Sequence, residues 1–222
     1  MSKKCYRCGK DATSKEHAPA KCYFPEEAEY RKNLITVPSC KEHNEDTSKD
    51  DEYVRNWICM SLGNNGTAYK QFFGKVIKSI QESPGLKAIM FKNAKRVFVE
   101  DEKGNKLPTW AFELDRVRFD SAIIKIAYAL FYNTYKETWH KDLHTMTDFL
   151  VYGDMTQDEQ GALLQSFRGQ IHEHHFDGNN PQVFKYKFLQ TESEDIHEQV
   201  LRMQFYEGFE IWVIPKIEIN TV

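Results

Sequence analysis

Cys5-Tyr6-Arg7-Cys8-Gly9 and, some thirty residues later, Cys40-Lys41-Glu42-His43-Asn44 decide how this chain is read. Two residues between cysteines let both thiolates turn toward one ion, and the glycine that follows permits the tight backbone turn. The CxxH pair repeats the device. Cys5, Cys8, Cys40 and His43 together offer three thiolates and an imidazole, a closed tetrahedral set for a structural Zn2+ with no position left for water or substrate. Cys22 and Cys59 fall outside the pattern and read as buried or incidental.

Ahead of the second pair, Leu34-Ile35-Thr36-Val37 reads as a short strand stopped by Pro38, with Ser39 placed to cap a helix through Asp51, Tyr53, Val54, Trp57 and Ile58. Ser61-Leu62-Gly63-Asn64-Asn65-Gly66-Thr67 is a cluster of turn formers. It divides the chain into a zinc-stapled module, 1–62, and a longer segment, 63–222. Between the zinc pairs lie Glu16-His17-Ala18-Pro19 and Asn33-Leu34, and Asn44 follows the last ligand directly.

The string Cys5-x-x-Cys8, Glu16-His17-Ala18-Pro19, Asn33-Leu34, Cys40-x-x-His43-Asn44 resembles the HNH endonucleases, which have the ββα-metal fold. The resemblance covers residues 5 to about 58. It implies a metal-dependent enzyme that hydrolyses phosphodiester bonds of DNA, with RNA left open, of the kind found in bacterial antiviral defence or mobile elements. By the same resemblance His17 is the general base, Glu16 and Asn44 hold a catalytic divalent ion (Mg2+ or Mn2+), and Asn33 braces the loop that aims His17. An imidazole that titrates near neutrality suits the base, and oxygen ligands suit a hard ion. Lys41, Lys49 and Arg55 are the expected phosphate contacts. The sequence departs from the family pattern in four places. Glu16 stands where aspartate is usual, His43 replaces a cysteine, Asn44 replaces a histidine, and Asn33 is spaced further from Asn44. The alternative is a noncatalytic zinc module that docks nucleic acid or protein, with Glu16-His17 as remnants of the fold.

Residues 63–222 read as a mixed α+β domain. Helical spacing runs from Ala68 to Gln81 and stops at Ser83-Pro84-Gly85. Strands are expected at Lys95–Glu100 and Trp110–Leu114, flanking a loop at 101–105. Asp120 to about Glu137 is the strongest helix, capped by Asp120, with Ile123, Ile126, Ala127, Leu130 and Phe131 on one broad apolar face. A further helix is expected from Thr156 or Asp158 to His172, then strands at Val183–Leu189 and Val200–Ile214, the second broken at Glu207-Gly208. The expected arrangement packs these strands on one buried helix. Phe119, Tyr128, Phe131, Tyr135 and Trp139 leave room for a symmetric dimer contact. His172-Glu173-His174-His175 reads as helix end and turn ahead of a loop at 177–181, and His140 with His144 as a solvent-facing pair at helical spacing.

Net charge is −3, from 30 basic and 33 acidic residues, so any phosphate-binding surface must be a local patch. The first sixty residues carry eleven of each sign. No run of eighteen apolar residues is present, which argues against a membrane span. The basic start, Met-Ser-Lys-Lys, has no apolar stretch behind it, so the expected compartment is the cytoplasm, where thiols stay reduced. No phosphate-binding glycine loop or serine nucleophile elbow occurs.

Overall fold

The computed structural model describes residues 3–44, 48–100, 103–151, 153, 155–170, 175–190 and 193–216. It is mixed α+β. The chain opens with a two-stranded antiparallel hairpin, β1 (Ser14–His17) and β2 (Thr36–Ser39), joined by a long loop. Pro38 lies inside β2 rather than ending it. A proline is tolerated there because the strand lies at an edge, and its carbonyl accepts the Tyr6 N–H at 2.9 Å. Ser39 does not cap a helix: it ends β2 fully buried, with Oγ donating to the Cys40 carbonyl. Helix α1 is described from Ser48 to Met60, after the CxxH turn.

Next come α2 (Gly66–Gln71), a π-helical turn at Phe72–Val76, α3 (Ile77–Glu82) and α4 (Pro84–Met90). Ser83 caps α4, with Pro84 in its first turn. The Ser-Pro-Gly signal therefore restarts a helix where an end alone was expected. A ribbon follows, β3 (Lys95–Glu100) paired, among the described residues, only with β4 (Lys106–Ala111). β4 begins four residues ahead of the expected strand and carries Pro108 within it.

Helix α5 (Arg116–Tyr135) is capped by Asp115, not Asp120. Asp120 lies one turn inside, ion-paired to Arg116 at 2.7 Å. The remainder is β5 (Leu143–Met146), α6 (Gln157–Gly169), β6 (Asp177–Asn180), β7 (Phe184–Leu189), β8 (Val200–Phe205) and β9 (Phe209–Pro215). The strands form one antiparallel sheet in the order β5-β9-β8-β7-β6. Two of these were unexpected. His144 lies on β5 and His140 in a loop, so the pair is not helical. The expected loop at Asp177 forms edge strand β6, where Gly178 (φ +130°) passes so close to β7 that a Cβ would stand 2.8 Å from the Phe184 carbonyl. Of the cluster His172-Glu173-His174-His175, residues 172–174 lie outside the described residues.

The sheet carries a helix on each face, not one. Phe209, Ile211 and Val213 face the α5 side, while Trp212 and Ile214 pack with Leu164 of α6. This explains the continuous apolar run Ile211-Trp212-Val213-Ile214, as expected for a strand buried on both sides. Helix α5 is the centre of the molecule. It touches α1 and β2 on one side and β5 on another, and Phe119, Tyr128, Phe131 and Trp139 are buried within this one chain. Its apolar face is covered without a second subunit. Residues on either side of the 62/63 boundary share a single apolar core. The turn formers there are docked: a Cβ on Gly208 would fall 2.2 Å from the Gly63 carbonyl. Among the described residues no helix is long and apolar enough to cross a membrane.

Candidate metal centre and the hairpin face

The two knuckles converge. One ligand atom from each of Cys5, Cys8, Cys40 and His43 lies within 4.8 Å of the others. Cys8 Sγ and Cys40 Sγ are 3.8 Å apart, and His43 Nδ1 lies 3.8 Å from Cys5 Sγ and 3.2 Å from Cys40 Sγ. A tetrahedron with zinc–sulfur bonds of about 2.3 Å and zinc–nitrogen bonds of about 2.0 Å has edges of roughly 3.5–3.8 Å. The three close separations lie near those edges, and three thiolates with one imidazole form a donor set consistent with a structural zinc.

Local sequence builds this arrangement. Gly9 takes φ +70° and its N–H donates to the Cys5 carbonyl at 3.1 Å, closing the first knuckle. His43 N–H donates to the Cys40 carbonyl at 3.2 Å, closing the second. Burial works against the Cys5 thiolate, but N–H groups of Arg7, Cys8 and Cys40 outweigh it and hold its pKa below the usual thiol value. Lys10 and Glu42 pair across the knuckles at 3.2 Å. The Arg7 guanidinium lies 3.5 Å over the Tyr128 ring, so the centre is also tied to α5.

Beside the knuckles, Ser14 and Glu16 alternate onto the inner face of β1, and His17 turns to the opposite face. Asn44 reaches the inner face, its amide N–H donating to Ser14 Oγ at 2.8 Å and to the Lys15 carbonyl at 3.3 Å. Asn44 is thereby anchored at Ser14, two residues and about 7 Å along β1 from Glu16, and His17 projects from the opposite face of the strand. Asn33 does not join them. It takes φ +52° in the loop before β2, and its carbonyl accepts from Asn179 beside the edge of the C-terminal sheet.

Glu16 is only 4% exposed. Its Oε1 lies 3.5 Å from the Lys125 ammonium, which also binds Asp51 Oδ2 at 2.5 Å. Two carboxylates thus flank one buried cation. Glu16 Oε2, Asp51 Oδ1 and the Tyr6 hydroxyl are buried and lack hydrogen-bond partners among the described residues. Burial pushes the Glu16 carboxyl up to about 7, with Lys125 opposing and Asp51 adding to the rise. Burial likewise raises Asp51, against the pull of Lys125. Burial and Lys21 lower the His17 pKa, which favours the neutral, proton-accepting imidazole.

Of the expected phosphate contacts, Lys41 and Lys49 are exposed. Arg55 is not available for that role. It is 1% exposed, with its guanidinium directed to Asn56, Glu52 and Ser79. Sequence reasoning missed Lys125 and the part played by Asp51. The signal was a lone lysine in the apolar run Ile123-Ile124-Lys125-Ile126, at helical steps from buried Ala122 and Ala129.

Comparison with known protein families, curated proteins and solved structures returns no match.

Proposed function

We propose that the chain is a metal-stapled HNH-type phosphodiesterase acting on DNA, with the hairpin face held closed by Lys125. One observation carries the reading: Asn44, directly after the last knuckle ligand, hydrogen-bonds Ser14 Oγ and the Lys15 carbonyl of β1, the strand that ends in Glu16-His17. Asp51 adds a second carboxylate to that face. Unpartnered buried oxygens on Glu16 and Asp51 fit an oxygen-seeking cation. A divalent ion held by Glu16, Asn44 and Asp51 would supply charge stabilisation at a scissile phosphate. His17, neutral through burial, would accept the proton of the attacking water only if the end of β1 turned it toward that ion, since it projects from the opposite face; Lys41 and Lys49 would hold backbone phosphates. In the closed arrangement the Lys125 ammonium provides the positive charge between the carboxylates.

A second reading follows from a different observation. Glu16 is buried beneath α5, where phosphate has no access, and this favours a noncatalytic zinc module that docks nucleic acid or protein. Plasmid cleavage separates the two readings. Nicking that needs Mg2+ or Mn2+, stops with EDTA and is lost in His17→Ala at unchanged zinc content supports the enzyme. Cleavage by His17→Ala at the wild-type rate removes His17 from the chemistry and overturns the HNH mechanism, and no cleavage by wild type under any divalent ion supports the module.

A further inference from the structure

The β3–β4 ribbon stands apart from the rest of the fold, paired to no other strand among the described residues. An isolated two-stranded ribbon is marginal in water. This one nevertheless exposes Phe98 (70%) and Trp110 (52%), together with Val99 and Leu107. One face carries Arg96, Phe98 and Glu100 opposite Trp110, Pro108 and Lys106; the other carries Val97 and Val99 opposite Thr109 and Leu107.

The two edges are unlike. The register runs unbroken through Phe98 and Pro108. A proline sustains this only where its nitrogen points away from the partner strand. Pro108 therefore removes a donor from the outer edge of β4. By alternation, Phe98, Arg96 and Glu100 turn their N–H and C=O groups to the outer edge of β3, where no proline interrupts.

We infer that the outer edge of β3 pairs antiparallel with the same edge of a second copy, about a two-fold axis at Phe98. Only residues with outward backbone groups can form the hydrogen-bonded pairs of that ladder. This sets Phe98 against Phe98 of the other copy and Arg96 against Glu100. The dimer then holds two Arg96–Glu100 ion pairs, one on either side of an aromatic contact. On the opposite face Val97 meets Val99, so every cross-strand pair is complementary. A two-fold contact must be self-complementary, and the order Arg-Val-Phe-Val-Glu is so about its centre. A nucleic-acid strand fits the face less well, because Glu100 would meet phosphate.

A five-residue ladder is a small interface, so association is expected in the micromolar range. Sedimentation of the full chain from roughly 1 to 200 µM should show 26 kDa monomers passing into dimers. Arg96→Glu places like charges opposite each other, as does Phe98→Glu, and each should weaken association by about tenfold or more. These side chains are exposed, so the circular dichroism spectrum should be unchanged. The exchange Arg96→Glu with Glu100→Arg should restore the dimer. Phe98→Cys should form a disulfide-linked dimer absent from the parent, since Cα atoms in such pairs stand about 5.5 Å apart. A wild type monomeric throughout the range overturns the inference. So does a dimer indifferent to Arg96→Glu and Phe98→Glu, or a charge exchange that fails to rescue. A monomer that instead retards a single-stranded oligonucleotide, in a manner dependent on Phe98, makes the ribbon a nucleic-acid surface and equally overturns it.

Discussion

The Lys125 ammonium stands 3.5 Å from the Glu16 carboxylate, with both side chains buried where α5 crosses the hairpin. This contact links the central helix to the strand that carries the HNH-like residues. Removing one partner from a buried ion pair is costly because the remaining charge has no solvent. Lys125→Met should therefore lower stability by about 3–5 kcal/mol, with protonation of Glu16 moderating the loss. If the carboxylates accept a cation in place of the ammonium, Mn2+ should raise the melting temperature of Lys125→Met more than that of the wild type. Equal shifts for both proteins would rule out a cation position there.

The same carboxylate sets a pH dependence. Glu16 keeps its proton up to about pH 7 in the folded chain, against an ordinary value of 4.5. Between these values the folded state binds the extra proton, so stability from this group falls as pH rises from about 4.5 through about 7. The span corresponds to roughly 3 kcal/mol. Glu16→Gln should abolish this slope, and the difference between the two proteins, measured by urea unfolding at pH 5 to 8, should grow in favour of the variant. Protonation of the zinc ligands acts on both proteins and cancels in the difference. Parallel profiles would show that Glu16 is ionised throughout.

Much of the architecture was legible where local chemistry acts alone. The Glu207-Gly208 break separates β8 from β9 as expected, and Thr156 caps α6 with Glu159 in a reciprocal capping box. The knuckle spacing likewise pointed to the ligand cluster. What was illegible depended on distant partners. Asp120 has a capping side chain, but Arg116 and Thr145 engage it inside α5, and Asp115 caps instead. Arg55 reads as a surface cation on α1 until α3 brings Ser79 to it. Glu16 reads as an open ligand because nothing within its own module reveals that Lys125, more than a hundred residues away, reaches it.

Cys5, Cys8, Cys40 and His43 could hold one metal ion, and as a zinc site they would fasten the hairpin to the chain leading into α1. Purified protein should carry about one tightly bound zinc per chain by metal analysis. Cys8→Ser and Cys40→Ser should lose the zinc and render residues 5–58 sensitive to limited proteolysis, because the binding free energy of such a site is also folding free energy. Zinc-free protein with an intact, protease-resistant N-terminal region would contradict a zinc site there.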